Sequence, residues 1–552
     1  MASPFASRLG TNYCPSDEEI VDIRAFLIEP KSRLKCLDDK IADLQKAIDS
    51  LTEERASVRS FVDAHDALLS PLRRIPLDII QEIFVACLPT HRNCVMSAVE
   101  APLLLGRICS SWRAIALSTP RLWARLHIVE PEIVEPEYSG IVPSNVILEE
   151  KVAQCIDTVK TWLTRSGVCP ISISLEGARQ LFMPTGVPPP SSTRLFLQAL
   201  IPFSSRWQDL TMSVVFEALD TLFAISETDV PMLSKLHIFQ YPHDQEVPPG
   251  LPWRSFAWLH TPTLSDLAFI GYQANMLDLP IQWTNITTLS LTGMLPHNLI
   301  LEILSKCPQI RTCRFGMSYA TEDSTVSLDT NHSVIELVHL RSLHVEGWLD
   351  GITGILRPLL VPALREFALN GSTTTLDSTL ASHLTAFLAR CQRLEHLNIN
   401  TYLFDTISLL ELLRNLPTTV ERLCITNYAY SGHRDVFDDD ALAMLTPSLG
   451  PSSAYASLSC PLLQDLKIVG SVFPTDEAIV RFITARMGAE PPVNRTLKRV
   501  EIQLSRAMEF NIRPRIQPFL DTGLKLHTTY NPPPTSQMYS VWRGLIDEHD
   551  PQ

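Results

Sequence analysis

A short unit repeats along the chain beyond residue 200, and it restricts the fold more than any other feature does. The unit reads apolar-x-x-apolar-x-apolar, so its apolar side chains alternate as they do along a β-strand with one buried face. Such a strand cannot cover its apolar side alone, whereas similar strands stacked beside it can. The units are Leu233/Leu236/Ile238, Leu264/Leu267/Phe269, Ile286/Leu289/Leu291, Ile310/Cys313/Phe315, Leu340/Leu343/Val345, Leu364/Phe367/Leu369, Leu394/Leu397/Ile399, Val420/Leu423/Ile425, Leu463/Leu466/Ile468 and Leu497/Val500/Ile502, with Trp207/Leu210/Met212 as an earlier candidate.

The spacing of these units predicts a solenoid. The units that start at 264 and 286 are 22 residues apart and those at 233 and 264 are 31 apart, which brackets the roughly 20–29 residues of leucine-rich repeats. Segments such as Ile300–Lys306 and Leu384–Arg390 have the apolar spacing of helices that return the chain to the next strand. We therefore expect an α+β fold in which an irregular leucine-rich-repeat solenoid with parallel strands fills residues 201–530.

A heptad pattern lies on the N-terminal side of the repeats. Ten of its twelve core positions are apolar, and the exceptions are Arg55 and His65. An apolar stripe kept at a period of roughly 3.5 residues indicates a coiled coil, so we expect a long coiled-coil-like helix over 30–70 with Pro30 in its first turn. Two interpretations stay open: the helix associates with another copy or another protein, or it folds back on its own chain. The core positions are Leu34, Leu37, Ile41, Leu44, Ile48, Leu51, Arg55, Val58, Val62, His65, Leu69 and Leu72.

A small helical module follows Pro71. Its first helix begins at Pro76 and places apolar residues on one face up to Phe84, and a second amphipathic helix covers 103–116. A turn over 119–123 closes the module. A module of about 55 residues is small for an independent core, so apolar surface is expected to remain for a partner.

This module resembles the F-box. The resemblance covers Leu72 to Leu126 and implies docking to the Skp-family adaptor of a cullin–RING ubiquitin ligase. The chain departs from the motif at Ile75 and Asp78, and its loop from Pro89 to Pro102 is longer than the compact form. The matching sequences are Ile75-Pro76-Leu77-Asp78-Ile79-Ile80 with Ile83-Phe84, Ile108-Cys109-Ser110-Ser111-Trp112-Arg113-Ala114-Ile115-Ala116 and Pro120-Arg121-Leu122-Trp123. The adaptor-binding residues that the resemblance implies are Pro76, Leu77, Ile79, Ile80, Ile83, Phe84, Ile108, Cys109, Trp112, Leu122 and Trp123.

Together, the module and the repeats resemble fungal F-box/leucine-rich-repeat proteins. This resemblance implies a substrate receptor that binds the Skp adaptor, and through it a cullin, while the repeats hold an unknown target protein. The alternative is an interaction scaffold outside any ligase, in which the F-box-like module is structural. Polar residues between the apolar strand positions are the target-binding candidates, namely Arg341, His344, Arg365, His396 and Arg422.

Composition excludes several classes of function. The net charge of −14 and the absence of a basic cluster argue against nucleic-acid binding. No apolar run is long enough to span a membrane, and the N-terminal sequence is not a secretory signal. The twelve cysteines lack the paired short spacing of zinc sites or disulfide scaffolds, and most look like buried thiols. We therefore expect an intracellular protein, cytoplasmic or nuclear.

No motif in the sequence indicates catalysis. Phosphate loops, nucleophile elbows, dinucleotide fingerprints and zinc-protease helices are absent from the sequence. The aspartates of Asp438–Asp440 precede an apolar run, so they are interpreted as the charged start of a helix. We expect no catalytic residue, no metal site and no cofactor, and a non-catalytic adaptor of a ligase complex.

These patterns divide the chain into six segments. Residues 1–29 are expected to be a flexible N-terminus, 30–70 the coiled-coil helix and 71–127 the F-box. Residues 128–200 connect to the solenoid of 201–530, and 531–552 form a tail or cap.

Overall fold

A computed structural model describes most of the chain. The described residues are 3–69, 74–131, 145–177, 192–214, 216–239, 253–270, 276–317, 334–372, 379–427, 436–447, 459–470, 472–488 and 497–530. Pro71 and Leu72 and the predicted tail 531–552 therefore lie outside them. The chain divides into two compact units, Met1–Ile83 and Phe84–Gln552.

The first unit contains one long helix, α1 (Asp17–Leu69), after a single 3-10 turn at Ala6–Arg8. The helix begins at Asp17, and Pro30 lies inside it, so the expected start at Pro30 is wrong. The reason is a capping box: the Ser16 amide donates to Glu19 (3.0 Å) and the Glu19 amide donates to the Ser16 hydroxyl (3.4 Å). Acidic residues in the first turn stabilise the same end.

The remaining helices are short. Helix α2 (Leu77–Ala86) begins in the first unit and ends in the second. The others are α3 (Leu105–Ile108), α4 (Ser110–Leu117), α5 (Asn145–Arg165), α6 (Thr193–Leu200), α7 (His297–Ser305), α8 (Leu349–Leu356), α9 (Thr379–Arg390), α10 (Thr406–Arg414), α11 (Asp439–Met444), α12 (Asp476–Met487) and α13 (Arg513–Asp521). Further 3-10 turns are Pro120–Trp123, Ile201–Arg206, Phe216–Ala224, Glu227–Asp229, Trp253–Ser255, Ala257–His260, Met276–Asp278, Trp283–Asn285 and Thr401–Leu403.

The described strands of the second unit build one large parallel sheet. It has 14 strands in the order β1-β2-β3-β4-β5-β6-β7-β9-β11-β12-β13-β14-β15-β16, and β8 pairs with β10 separately. The strands are β1 (Arg125–Val129), β2 (Ile171–Glu176), β3 (Trp207–Ser213), β4 (Lys235–Phe239), β5 (Asp266–Ile270), β6 (Thr288–Leu295), β7 (Thr312–Met317), β8 (Ile335–Glu336), β9 (Ser342–Trp348), β10 (Leu359–Leu360), β11 (Glu366–Ser372), β12 (His396–Asn400), β13 (Arg422–Asn427), β14 (Asp465–Gly470), β15 (Arg499–Leu504) and β16 (Lys525–Tyr530).

The register of the sheet follows from the repeated unit. The middle apolar residue of one unit pairs with that of the next, as in Leu236 with Leu267 and Leu267 with Leu289. These side chains are at most 1% exposed, so they form a continuous row in the core. The predicted α+β fold with a parallel repeat sheet is thus confirmed at this level.

The sheet extends beyond the repeated units at both ends, and at its first end it also extends beyond the predicted solenoid of 201–530. It begins at β1, inside the range expected for the F-box, and β2 lies in the expected connecting region. Strand β16 at the other end has only half-buried or exposed side chains, since an edge strand has a neighbour on one side only. Its sequence therefore lacks the repeated apolar pattern.

Helices of successive repeats pack on each other behind the sheet, and the side chains of Asp405, Asp438 and Thr475 cap the starts of α10, α11 and α12. Helix α11 begins at the aspartate cluster, where the Asp438 carboxylate accepts from the amides of Asp440 and Ala441 (both 3.1 Å), as the charged-helix-start interpretation expected.

All twelve cysteines are free, but five of them are buried, fewer than the sequence indicated.

Candidate functional site

The candidate site is a pocket on the face of the sheet formed by side chains that alternate with the core row. We call this the open-face pocket; it has a volume of about 440 Å³ and extends over six neighbouring strands, β9 and β11 to β15. Two open-face side chains from each strand line it. The lining side chains before the core row are Ser342, Glu366, His396, Arg422, Asp465 and Arg499, and those after it are His344, Ala368, Asn398, Cys424, Lys467 and Glu501.

The pocket lies where three adjacent strands carry small side chains. Ala368, Asn398 and Cys424 are paired across β11, β12 and β13, and His344 and Lys467 stand on either side of them. Since neighbouring strands are about 4.8 Å apart, three small residues in a row leave a hollow several strands wide. The Asn398 amide oxygen is buried and has no hydrogen-bond partner among the described residues. The hollow therefore has a partly polar floor.

A histidine between two charges forms one rim of the pocket. The His396 Nδ1 lies 2.8 Å from the Glu366 carboxylate, and the Arg422 guanidinium contacts the other ring nitrogen, Nε2. A second nitrogen of the same guanidinium, Arg422 Nη2, lies 3.0 Å from Nδ1. The ring thus lies between a cation and an anion across three strands.

A second charged group lies at the far end of the pocket. The Glu501 carboxylate is 2.8 Å from Lys467 Nζ and 2.7 Å from Arg499 Nη2. The hydrogen bond from Lys467 lowers the pKa of Glu501, and the same bond raises the pKa of Lys467. Both groups are therefore charged at neutral pH, and the pocket offers cationic and anionic contacts within a short span.

Two titratable side chains in the pocket are held neutral. Burial raises the pKa of the Cys424 thiol, so the sulfur is a protonated thiol and a poor nucleophile at neutral pH. Burial, together with Arg314, lowers the pKa of His344, and the Asn370 amide lies 3.1 Å from its Nε2. The pocket thus supplies hydrogen-bonding groups and fixed charges.

The structure brings together three of the five predicted target-binding residues. His344, His396 and Arg422 line the open-face pocket, whereas Arg341 and Arg365 do not. Each of the latter two directly precedes a strand, and Arg365 pairs with Glu395 at 2.8 Å. The polar side chains that line the pocket are those directly before and after the middle apolar residue of each unit.

Sequence reasoning missed most of the pocket. The missed residues could have been found from their position in the repeat. Each lies directly before the middle apolar residue of its unit, as His396 does, or directly after it, as His344 does. Choosing charged and histidine side chains by type alone overlooked the small residues that create the space. The missed residues are Ser342, Glu366, Ala368, Asn398, Cys424, Asp465, Arg499 and Glu501.

The F-box-like residues of the first unit are mostly exposed. Pro76 precedes α2, and Leu77, Ile79 and Ile83 on the helix are 55%, 48% and 43% exposed. Ile80 is half-buried. Apolar residues at these exposures leave a stripe of α2 in contact with water.

The F-box-like residues of the second unit belong largely to its core. Phe84, Leu122 and Trp123 are at most 2% exposed, so the fold described here packs them in its own core. The Trp123 ring packs edge-on against Trp162 of α5, with centroids 4.8 Å apart, and its indole N–H donates to the Ala116 carbonyl (2.8 Å). This contact packs the turn Pro120–Trp123 of the module against helix α5.

The remaining three residues are close to α4. Ile108 is 56% exposed, and Cys109 is exposed with its sulfur accepting from the Trp112 amide at 3.4 Å, as an N-cap of α4. The Trp112 ring is half-buried, 4.8 Å from the Phe84 ring. Ile108 and Cys109 therefore remain free to contact another protein.

The long loop from Pro89 to Pro102 covers the first edge of the sheet. The His127 amide donates to the Cys94 carbonyl (2.7 Å), and Val95 forms a parallel bridge with His127. The Asn93 amide donates to Ser174 on β2 (3.1 Å). An uncovered edge strand would present unpaired backbone groups, so the extra loop length protects the solenoid.

The described residues also bear on metal binding and on membrane insertion. In the described ranges, no group of three or more histidine, cysteine, aspartate or glutamate side chains is placed to hold a metal ion. No described helix is both long and apolar enough to cross a membrane.

Comparisons with known proteins give no family. No protein-family model matches the chain, and no curated protein matches it. Among the solved structures that are similar in part are the following three. A protein from Bacteroides fragilis is 10% identical over 58% of this chain and 74% of its own, with a TM-score of 0.30.

The other two are complexes. Yeast Rad7, solved with Elc1, is 11% identical over 88% of this chain and 98% of the matched chain, with a TM-score of 0.32. TLR13, solved with ssRNA13, is 12% identical over 64% and 53%, with a TM-score of 0.22. At these TM-scores the similarities carry no argument about function.

Proposed function

We propose that the chain is the substrate-receptor subunit of a Skp–cullin–F-box ubiquitin ligase. The F-box-like module binds the Skp-family adaptor, and the open-face pocket holds part of a target protein. Other subunits transfer ubiquitin, and this chain contributes proximity and orientation. The proposal combines the sequence resemblance with the exposed apolar side chains and the pocket.

The observation that carries the proposal is the exposure of α2. Leu77, Ile79 and Ile83 fall at motif positions that imply adaptor contact, and each leaves more than two fifths of its surface in water. Fully burying a side chain of this size contributes about 1.5–3 kcal/mol, so covering its exposed half contributes about 1 kcal/mol. A partner that covers α2 thus gains binding free energy from residues that the fold leaves uncovered.

The pocket supports the second half of the proposal. Arg422, Lys467 and Arg499 supply cations, and Glu366, Asp465 and Glu501 supply carboxylates, on strands that share one face. Such mixed charges suit a protein segment with both acidic and basic side chains, since each pairing adds orientation as well as affinity. The small residues between them give the segment room to lie against the sheet.

A second candidate is a scaffold outside any ligase. The burial of Leu122 and Trp123, and the loop over β1, favour a module whose task is to close the end of the sheet. In that case the exposed residues of α2 have no adaptor. Adaptor binding separates the two candidates.

The test uses purified Skp-family adaptor and the full chain with Leu77→Glu and Ile83→Glu together. We expect the parent to bind and the double variant to lose about 100-fold or more in affinity, because two apolar contacts become buried charges. Val99→Glu is the matched control, since Val99 is 80% exposed and lies outside the motif. A folded parent that does not bind the adaptor contradicts the receptor proposal and leaves the scaffold.

A further inference from the structure

The longest exposed apolar surface in the described first unit follows α1. Nine apolar residues at the heptad core positions are between 47% and 66% exposed. Outside α1, the described residues of this unit are 3–16 and 74–83, and they contain no helix long enough to lie along this stripe. The nine residues are Leu34, Leu37, Ile41, Leu44, Ile48, Leu51, Val58, Val62 and Leu69.

We propose that Leu34–Leu69 forms a parallel, in-register, two-stranded coiled coil with the same segment of a second copy of this chain. The core residues choose the number of strands. Ile41 and Ile48 occupy the first core position, and Leu37, Leu44 and Leu51 occupy the second. A β-branched residue at the first position and leucine at the second favour two parallel strands.

The charged residues beside the core positions favour a parallel orientation of the two helices. In a parallel pair, each residue just before a first core position faces the residue five places later on the other helix. Arg33 then faces Asp38 of the second copy, and Glu54 faces Arg59 of the second copy. No pair of this kind brings two like charges together between Arg33 and Asp66.

The polar core residue Arg55 also favours the parallel, in-register arrangement. In the parallel pair its guanidinium faces Arg55 of the second copy, and Glu54 of each copy lies beside the two guanidinium groups as a counter-charge. An antiparallel pair with Ile48 opposite Leu51 sets Arg55 against Leu44 of the second copy instead. A desolvated charge against a leucine is costly, which favours the parallel arrangement.

The structure leaves these charges available. Within its own helix Arg59 makes a loose ion pair with Asp63 at 3.9 Å, with both side chains about two thirds or more exposed. Such a pair contributes little and does not prevent contact with a second helix. His65, the other polar core residue, is satisfied within α1, since its Nδ1 lies 2.8 Å from the Phe61 carbonyl.

The first measurement is the mass of the full chain in solution. Sedimentation at micromolar concentration is expected to give a mass twice the 61.8 kDa of the chain. Glu54→Arg and Arg59→Glu, each alone, place like charges between the copies and are expected to weaken dimerisation about tenfold or more. Glu53→Arg is the matched control, since it makes the same charge change at a neighbouring position on the outer face and is expected to leave the mass unchanged.

Mixing the two variants tests the orientation. A Glu54→Arg chain and an Arg59→Glu chain attract each other at both sites when parallel, so an equimolar mixture is expected to recover most of the parent's dimer affinity. In the antiparallel arrangement Glu54 and Arg59 do not face each other, so mixing brings no recovery. A parent that stays monomeric at all concentrations, or a dimer without recovery on mixing, overturns the proposal; neither result bears on adaptor binding by α2.

Discussion

Asp476 is a carboxylate with no exposed surface, held at the start of α12 by four donors. Arg506 Nη2 lies 2.7 Å from one oxygen and the Tyr530 hydroxyl donates to the same oxygen at 3.1 Å. The amides of Glu509 and Phe510 donate to the other. Burial raises the pKa of this carboxyl, but Arg506 and the two amides outweigh burial and hold the pKa below its ordinary value.

We therefore predict that Asp476→Asn destabilises the chain by about 3 kcal/mol, because Arg506 loses its counter-charge in a nearly buried position. Since the pKa is lowered on folding, this stabilisation is present above about pH 4 and is lost as the pH falls below that value. Urea unfolding at pH 7 and pH 3 measures both effects, and the difference between parent and variant should shrink at pH 3.

The neighbouring Glu477 provides the control. It pairs with Arg515, but both side chains are about half exposed, so Glu477→Gln should cost less than about 1 kcal/mol. Equal losses in the two variants would show that the Asp476 cluster has no special weight.

At the scale of elements, the F-box-like module contains residues of two kinds. Trp123 packs between Trp162 and the Arg165 guanidinium, which lies 4.7 Å from its ring centroid, whereas Ile108 extends into water. We predict that Trp123→Ala costs about 3–5 kcal/mol of stability, because it opens a large cavity in the core. Ile108→Ala should cost less than about 1 kcal/mol and lower adaptor affinity instead.

Thermal unfolding and adaptor binding, measured on both variants, check this division. A Trp123→Ala chain with the parent's melting temperature would contradict the buried position of this residue. An Ile108→Ala chain that binds the adaptor as the parent does would remove the end of α3 from the proposed contact.

The elements also show what the sequence could and could not predict. Strands were predictable because an inner strand buries the alternating apolar residues of the repeated unit, as Leu343 and Val345 show. Strand β16 was not, since an edge strand needs no apolar alternation. The start of α1 was predicted at Pro30, although Ser16 and Glu19 give an earlier capping signal. Pocket positions such as Ala368 were missed because a small side chain matters there for the space it leaves.

At the scale of the whole molecule, the F-box-like module and the sheet are not separable. The turn Pro120–Trp123 is followed directly by β1 at Arg125, and the β1 backbone pairs with β2 over its full length. We predict that a fragment of residues 128–552 aggregates, because it exposes the edge of β2 and uncovers Trp162. A fragment of residues 74–552 keeps β1 and its covering loop and should remain dispersed.

Light scattering and circular dichroism on the two fragments give the answer. A well-dispersed, folded 128–552 fragment would mean that the module is an independent attachment after all.

Because the turn at Trp123 leads directly into β1, the F-box-like module lies at a fixed distance from the open-face pocket. The strand order places seven steps between β1 and β9, the first strand of the open-face pocket, which is about 34 Å at roughly 4.8 Å a step. Neighbouring strands are hydrogen-bonded at every step, so the distance between a protein bound at Ile108 and one bound at His344 is fixed by the sheet. Reach would then depend on the number of repeats in between, and inserting or deleting one repeat would move a bound target by a fixed distance.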